Sequence, residues 1–169
     1  MDSPDIRSLT QVDAAIFRAL RLAALKECPT AFTADYATNL QQPVSHFSAQ
    51  IKSSPDNFIV GAFQNLTLAG MAGFYRSEGP KLRHRGNIWG MYVAPNVRGA
   101  GWGRKILAEV ISRARALEGI LQIHLSVVAD NEKARTLYLR NGFTVVGREP
   151  RAIQVDGKFY DDDLLVLSW

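Results

Sequence analysis

The chain has 169 residues, 47% of them hydrophobic and 21% charged, with a formal net charge of +4 and a pI of about 9.4. This length and apolar content fit one domain, residues 1–169, around a single sizeable core. A lone cysteine, Cys28, excludes an internal disulfide, and no apolar run is long enough to span a bilayer. Because the N-terminus is also unlike a signal peptide, we expect a soluble cytoplasmic protein without a membrane partner.

The positive charge is compatible with a polyanionic ligand and equally with an ordinary basic protein. Basic residues are scattered, apart from a cluster at 81–85 and a glycine-rich stretch described below. A nucleic-acid interface needs clustered Lys and Arg on a recognition fold, so we expect no nucleic-acid partner. The three histidines, His46, His84 and His124, show no metal-ligand spacing with one another or with the cysteine. We therefore expect no metal.

The first part of the chain predicts two helices followed by a β-hairpin. From Thr10 to Lys26 the apolar residues keep a helical period, and Thr10 with Asp13 resembles a capping box. Residues from Ser45 to Ser53 predict a second, shorter helix with Ser45 as its N-cap. The apolar runs 58–64 and 68–75 are separated by a short polar turn, which is typical of a hairpin. The small residues in both runs indicate close packing against this sheet.

The second part alternates strands and helices. A long central strand is predicted from Leu82 to Val93, and a helix follows it that ends near Gly119. The buried run from Leu121 to Val128 predicts the next strand, which should be parallel to the central strand because a helix connects the two. Another helix is predicted from about Glu132 to Arg140.

The last segment predicts a second hairpin. Thr144 to Val155 and Phe159 to Trp169 flank Asp156-Gly157, a sequence typical of a type I′ turn. The apolar residues of both arms predict a hairpin that is buried on each strand. The whole order is α-α-β-β-β-α-β-α-β-β, which indicates a three-layer α/β fold with mixed strand directions.

The stretch Asn96-Val97-Arg98-Gly99-Ala100-Gly101-Trp102-Gly103-Arg104 lies between the central strand and its helix. Three glycines in five residues allow a tight turn and a close approach of backbone N–H groups to a ligand. The N-terminus of the helix adds positive potential at the same place, so the pattern is typical of a phosphate site. Neither the Walker spacing nor the G-x-G-x-x-G dinucleotide spacing occurs here.

Arg98, Gly101 and Gly103 instead match the pattern Arg/Gln-x-x-Gly-x-Gly/Ala. Together with Asn131-Glu132-Lys133-Ala134-Arg135 and the run from Leu137-Tyr138 to Asn141-Gly142-Phe143, this chain resembles the GNAT superfamily of acyl-CoA-dependent N-acetyltransferases. The resemblance is strong from about Arg85 to Phe143 and looser outside. It implies an α/β/α fold whose mixed, mostly antiparallel central sheet is splayed between two parallel strands. It also implies acetyl-CoA as cosubstrate.

The resemblance further implies where the cofactor binds. The glycine-rich loop would hold the diphosphate, and the free backbone edge of the central strand would pair with the pantetheine amides, with one N–H facing the thioester oxygen. Asn131 matches a cofactor contact and is equally well explained as a helix cap. The residues expected to bind acetyl-CoA are Met91, Tyr92, Val93, Arg98, Gly99, Ala100, Gly101, Trp102, Gly103, Arg104 and Asn131.

Tyr138 matches the general acid of this family, which would protonate the leaving thiolate. Its helical spacing with apolar neighbours is also typical of a core tyrosine. No general base can be assigned from the sequence. The candidates are Glu27, Glu78, His84, His124 and Asp162, and the choice among them stays open. If the amine arrives neutral or loses its proton through water, no dedicated base is needed.

These features predict an enzyme that moves an acetyl group from acetyl-CoA directly to a primary amine of a small molecule or protein in a ternary complex. The alternative is a non-catalytic acyl-CoA-binding sensor or interaction module on the same fold. The helices before residue 53 and the last hairpin are expected to shape the acceptor pocket. The acidic run 161–163 could attract a cationic amine, although a solvated strand start is the simpler interpretation. The last hairpin also offers edges for a possible homodimer.

Overall fold

A mixed sheet of seven strands organises the protein, for which the computed structural model describes residues 3–169. The strands are β1 (Asp5–Ser8), β2 (Asn57–Gln64), β3 (Thr67–Arg76), β4 (Arg85–Val93), β5 (Gln122–Val128), β6 (Thr144–Val155) and β7 (Lys158–Ser168). The helices are α1 (Ala14–Glu27), α2 (Tyr36–Leu40), α3 (Val44–Gln50), α4 (Trp102–Ala116) and α5 (Glu132–Arg140). The spatial strand order is β1-β2-β3-β4-β5-β7-β6.

Among the seven strands of the described chain, only β4 and β5 pair in parallel, and every other neighbouring pair is antiparallel. This confirms the predicted mixed, mostly antiparallel sheet. It also confirms the parallel relation of the two strands that α4 connects, since parallel neighbours need a long crossover connection such as a helix. No helix among residues 3–169 is both long and apolar enough to cross a membrane.

The two faces of the sheet carry separate hydrophobic clusters. On one face α1 and α3 pack through Phe17 and Phe47, whose rings meet edge to face with centroids 6.1 Å apart. On the other face α4 buries Ile106, Leu107 and Val110 against the sheet, and α5 adds Tyr138 to the same cluster. Helices therefore cover both faces, which is the predicted three-layer arrangement.

The structure differs from the sequence prediction at the start of the chain. Asp5–Ser8 forms an edge strand, with Asp5 opposite Phe63 on β2, that was not predicted because four residues carry too little hydrophobic pattern. The first α-helix begins at Ala14, after a 3₁₀ turn over Gln11–Asp13. The central strand begins at Arg85 rather than Leu82, because residues 79–84 form turns.

The final hairpin also differs from the prediction. Its turn is confirmed, since Asp156 and Gly157 both have positive φ as a type I′ turn requires. The predicted burial of both arms is wrong: β6 is an outer strand of the sheet, and Val146 on it is 62% exposed. Burial is confined to β7, where Leu165 and Leu167 reach the core.

Asp13 fixes the entry into α1. It is buried, and its carboxylate accepts two hydrogen bonds from Arg7, at 2.7 and 2.8 Å, and one from the Thr10 backbone N–H at 2.8 Å. The predicted capping box is thereby confirmed. These donors, Arg7 first, lower the pKa of Asp13 to about 2.

We expect Asp13→Asn to lower the free energy of unfolding by about 1–2 kcal/mol at pH 7. A lowered carboxylate pKa stabilises the fold above its unfolded value near 4, and this stability is lost as the pH falls from about 4 towards 2. Urea unfolding at pH 7 and pH 2.5 measures the effect, with exposed Glu118→Gln as the control. A difference between Asp13→Asn and the unmodified protein that is the same at both pH values would contradict this account.

Candidate functional site

A cleft opens where β4 and β5 part. The two strands pair only at Arg85 with Gln122, Gly86 with Ile123 and Asn87 with His124. Beyond Asn87, within the described residues, the edge of β4 that faces β5 has no strand partner. A small cavity of about 80 Å³ lies in this gap. Its walls include Phe32, Gly90, Met91, Ser126, Asn131 and Tyr138.

A β-bulge shapes β4 beside this cavity. Gly73 pairs with Trp89 and Met71 with Tyr92, so two β4 residues, Gly90 and Met91, face a single residue of β3. Gly90 has φ of +63°, a conformation that side chains disfavour. A bulge leaves the extra residue outside the ladder and re-aims its backbone. The free edge of β4 is therefore turned into the cleft at Gly90 and Met91.

The Trp89 ring explains one of the small residues of β3. A Cβ added at Gly73 would come within 2.1 Å of the Trp89 ring, so only glycine leaves room for the indole there. The predicted close packing against this sheet is confirmed at Gly73.

The glycine-rich loop presents a row of free backbone donors. Gly99 and Gly101 have φ of +80° and +79°, and α4 begins directly afterwards at Trp102. In the part of the chain that the structure describes, the N–H groups of residues 99–104 donate to no protein acceptor. A Cβ built at Gly99 or Gly101 would meet nothing within 4 Å, so the space in front of the loop is open. Such a nest at the start of a fifteen-residue helix suits a diphosphate.

The side chains of this loop lie in different places. Trp102 is buried in the core at 2% exposure, so only its backbone N–H faces the open space. Arg104 is exposed in the first turn of α4, where an anion would offset its unfavourable position against the helix dipole.

Arg98 is held by α1 rather than left free in front of the loop. Its guanidinium donates to both carboxylate oxygens of Glu27, at 2.7 and 2.9 Å, and its Nε donates to the Val93 carbonyl at 2.8 Å. The Tyr92 hydroxyl donates to the same Glu27 carboxylate. Contact between Arg98 and a diphosphate stays a prediction, and it would involve a charge that is already paired. The visible role of Arg98 is to tie the loop to the end of α1.

This cluster makes Glu27 a poor general base. Hydrogen bonds from Arg98 and then Tyr92 lower the pKa of Glu27, and the same contact raises the pKa of Arg98. Burial, together with the bond to Glu27, raises the pKa of Tyr92. A carboxylate stabilised in this way takes up a proton less readily than a free one.

Glu27→Gln distinguishes a structural role of Glu27, as the ion-pair partner of Arg98, from a catalytic role as general base. Because the variant weakens a half-exposed ion pair, we expect the KM for acetyl-CoA to rise about 2- to 5-fold while kcat changes little. Loss of a general base would instead lower kcat by about 10²-fold or more. Steady-state kinetics across pH 6–9 distinguishes them, with Glu118→Gln, an exposed glutamate after α4, as the control. A collapse of kcat at unchanged KM would make Glu27 the base.

Tyr138 forms part of the cleft wall. Its ring packs edge to face against Phe143 with centroids 5.8 Å apart, and its hydroxyl donates to the Met91 sulfur at 3.5 Å. Burial raises its pKa to about 12, so the phenol keeps its proton at neutral pH. Asn131 lines the same cleft and caps α5, accepting from the Ala134 N–H at 3.2 Å. Core packing and capping are thus visible for these two residues, and their roles towards a cofactor stay predictions.

The other base candidates lie on three different parts of the fold. Glu78 and His84 belong to the turns before β4. His124 is opposite Asn87 at the last paired position, and burial lowers its pKa. Asp162 lies on β7, opposite Val128 at the C-terminal end of β5, and burial raises its pKa.

The acidic run on β7 is not a solvated strand start. Asp163 is only 1% exposed and accepts hydrogen bonds from Arg135 at 2.9 Å and Arg148 at 2.8 Å. Asp162 is 6% exposed, and its Oδ1 has no hydrogen-bond partner among the described residues. Both carboxylates are therefore buried in the sheet, and only Asp162 has an oxygen left free.

Arg21 is a site residue that the sequence analysis missed. It lies on α1, it is buried, and its guanidinium rests against Gly90 and the rings of Phe32 and Trp89. Its only sequence signal was a basic residue within an apolar helix.

Metal ligands do not converge anywhere in residues 3–169, where no three His, Cys, Asp or Glu side chains come together.

Comparison with known proteins identifies the family of this chain. Residues 21–143 match the model of the acetyltransferase (GNAT) family. The chain is 35% identical over 116 residues to the N-alpha-acetyltransferase RimI of Mycobacterium tuberculosis, an alignment that covers 68% of this chain and 69% of that protein.

Solved structures share the fold. An acetyltransferase of the GNAT family from Streptococcus pneumoniae superposes with a TM-score of 0.86 at 24% identity, covering 98% of each chain. A Salmonella typhimurium protein, described as an acetyltransferase with its cofactor acetyl-CoA, gives a TM-score of 0.80 at 22% identity, covering 99% of this chain and 94% of that one.

Proposed function

Because the chain belongs to the acetyltransferase (GNAT) family and is an acetyltransferase, we propose that it moves an acetyl group from acetyl-CoA directly to a primary amine in a ternary complex. Residues 1–169 would act as one N-acetyltransferase domain. The observation that carries the proposal is the cleft between β4 and β5, which Tyr138 lines, together with the free donors of the glycine-rich loop that follows β4.

The loop and strand would bind the cofactor through their backbone. Unpaired N–H groups of residues 99–104 and the N-terminus of α4 would hold the diphosphate, with Arg104 adding charge. The free edge of β4 from Met91 to Val93 would pair with the pantetheine amides, as an added strand pairs with a sheet edge. When bound, acetyl-CoA supplies an acyl group activated as a thioester.

The bulge would assist the acyl transfer. Gly90 and Met91 turn the β4 backbone into the cleft, so a backbone N–H there could donate to the oxygen that becomes negative as the amine attacks. One such donor typically accelerates acyl transfer by about 10²–10³-fold. The Tyr138 hydroxyl, still protonated at neutral pH, would give its proton to the departing thiolate.

The relative from Mycobacterium tuberculosis is an N-alpha-acetyltransferase, which supports an amine as the acceptor of this chain. It leaves open whether that amine belongs to a protein or to a small molecule, because acceptor pockets differ widely on one fold.

The experiment is a thermal shift followed by an amine panel. Acetyl-CoA and CoA at about 100 times their dissociation constants should stabilise the protein by roughly 2.7 kcal/mol, and ATP and NAD should not. Thiol release from acetyl-CoA should then depend on an added amine. Absence of both shifts would contradict the cofactor, whereas shifts without amine-dependent thiol release would favour a non-catalytic binding module.

A further inference from the structure

Arg21 is a buried cation with no counter-ion among residues 3–169. It is 8% exposed, and its Nη1 is buried with no hydrogen-bond partner among the described residues. Its guanidinium carbon lies 4.8 Å from the Phe32 ring centroid and 5.8 Å from that of Trp89. Aromatic faces offset part of the cost of burying the charge, but they satisfy none of the guanidinium N–H donors. Burial lowers the pKa of Arg21 to about 10, so the group remains charged at neutral pH.

The position of Arg21 is beside the reacting end of the cleft. Its Nη1 would lie 3.4 Å from a Cβ built on Gly90, the bulge residue of β4. Gly90, Phe32 and Trp89 all line the same cavity as Tyr138. An acceptor that reached the acyl group from the α1 side would therefore meet Arg21 on its way.

A second cavity continues from Arg21 away from the cleft. Its volume is about 350 Å³, and Trp89 lines both cavities. Its other polar walls come from Lys52, Asn39, Gln50, Asn57 and Tyr75. No acidic residue of the described part of the chain lines it. Two cations and no carboxylate would repel a polyamine or a lysine side chain and attract an anion.

We propose that the acceptor is a small amine that carries a carboxylate, in the manner of a free amino acid, and that Arg21 binds this carboxylate beside the bulge of β4. This inference rests on the proposed function and names its acceptor class. The planar fork of Arg21 matches a carboxylate in two parallel hydrogen bonds, which fills the open donor of Nη1. Lys52, at the exposed rim of the second cavity, adds attraction at longer range.

The test compares matched acceptors. Glycine, L-alanine, L-methionine and L-phenylalanine are each assayed against the corresponding carboxamide and against a tetrapeptide that begins with the same residue. We expect kcat/KM for at least one free acid to exceed that for its amide by about 10- to 100-fold, the range of a charged hydrogen bond. Arg21→Gln should bring this ratio close to one without changing the affinity for acetyl-CoA.

Further variants separate binding from folding. Arg21→Lys should keep part of the preference, and Lys52→Gln should reduce it about 2-fold, since an exposed charge contributes little. Lys26→Gln, an exposed cation on the same helix, should leave the ratio unchanged. Preference for amides or tetrapeptides in the unmodified protein, or an unchanged ratio in Arg21→Gln, would overturn the inference.

Failure of the carboxylate site can be distinguished from failure of the proposed acetyl transfer. If no amine is acetylated, the proposed function fails, and carboxylate binding is then measured by titrating the CoA-saturated protein with each amino acid and its amide. Tighter binding of the acid that is lost in Arg21→Gln would still support the carboxylate site. Equal binding of acid and amide would refute it.

Discussion

Gly101→Glu is expected to abolish acetyl-CoA binding, raising the dissociation constant by about 100-fold or more. The open space in front of Gly101 is bordered by the free N–H groups of residues 99–104. A glutamate there would place a carboxylate where the diphosphate is proposed to bind, and it would accept the hydrogen bonds itself. Calorimetric titration with acetyl-CoA measures the effect directly.

Gly119→Glu provides a matched control. Gly119 has φ of +77°, close to the +79° of Gly101, and a Cβ on either residue would meet nothing within 4 Å. The two variants thus share the added charge and the backbone strain of about 1 kcal/mol, and they differ in position. We expect similar losses of stability and unchanged cofactor affinity for Gly119→Glu. Equal affinity in both variants would remove the diphosphate from the glycine-rich loop.

Tyr138→Phe is expected to lower kcat by about 10²-fold or more while leaving acetyl-CoA affinity nearly unchanged. Phenylalanine keeps the ring packed against Phe143 and removes only the hydroxyl, which donates to the Met91 sulfur at 3.5 Å. The thiolate would then leave without its proton donor. Single-turnover kinetics with saturating acceptor isolates the chemical step.

The pH profile adds a second readout for Tyr138. Burial raises its pKa to about 12, so we expect no alkaline loss of activity near pH 9 or 10 from ionisation of this phenol. Tyr160→Phe, on β7, serves as the control for removal of a phenol hydroxyl. A kcat for Tyr138→Phe within about 3-fold of the unmodified protein would show that Tyr138 is only a core residue.

Local signals were enough to predict most of the fold. The helix at Glu132–Arg140 and the turn at Asp156-Gly157 were predicted at their observed positions, because capping residues and turn glycines act over a few residues. The edge strand Asp5–Ser8 was missed, since it is too short to show a period. The exposure of β6 was missed as well, because strand order in a sheet decides which apolar arm is covered.

The candidate site was likewise predictable from the sequence in its local features and not in its long-range contacts. The glycine-rich loop is a local motif, and the open nest it forms could be predicted from Gly99 and Gly101. The bond of Arg98 to Glu27 could not, because 71 residues separate the two partners. Nor could the environment of Arg21, since its burial depends on how Phe32 and Trp89 close over α1. Sequence spacing identifies a residue type at a place along the chain, whereas its charge partner is set by tertiary packing.

The parting of β4 and β5 also bears on how the protein holds together. In residues 3–169, three residue pairs, from Arg85 with Gln122 to Asn87 with His124, are the only strand pairing between a four-stranded N-terminal half of the sheet and a three-stranded C-terminal half. A pantetheine arm along β4, as proposed, would supply hydrogen bonds that are missing from the middle of the sheet and would connect its two halves. Amide protons near the parting of the two strands would then exchange more slowly as either acetyl-CoA or CoA rises, so that the resistance of the sheet to local opening depends on the total concentration of the two.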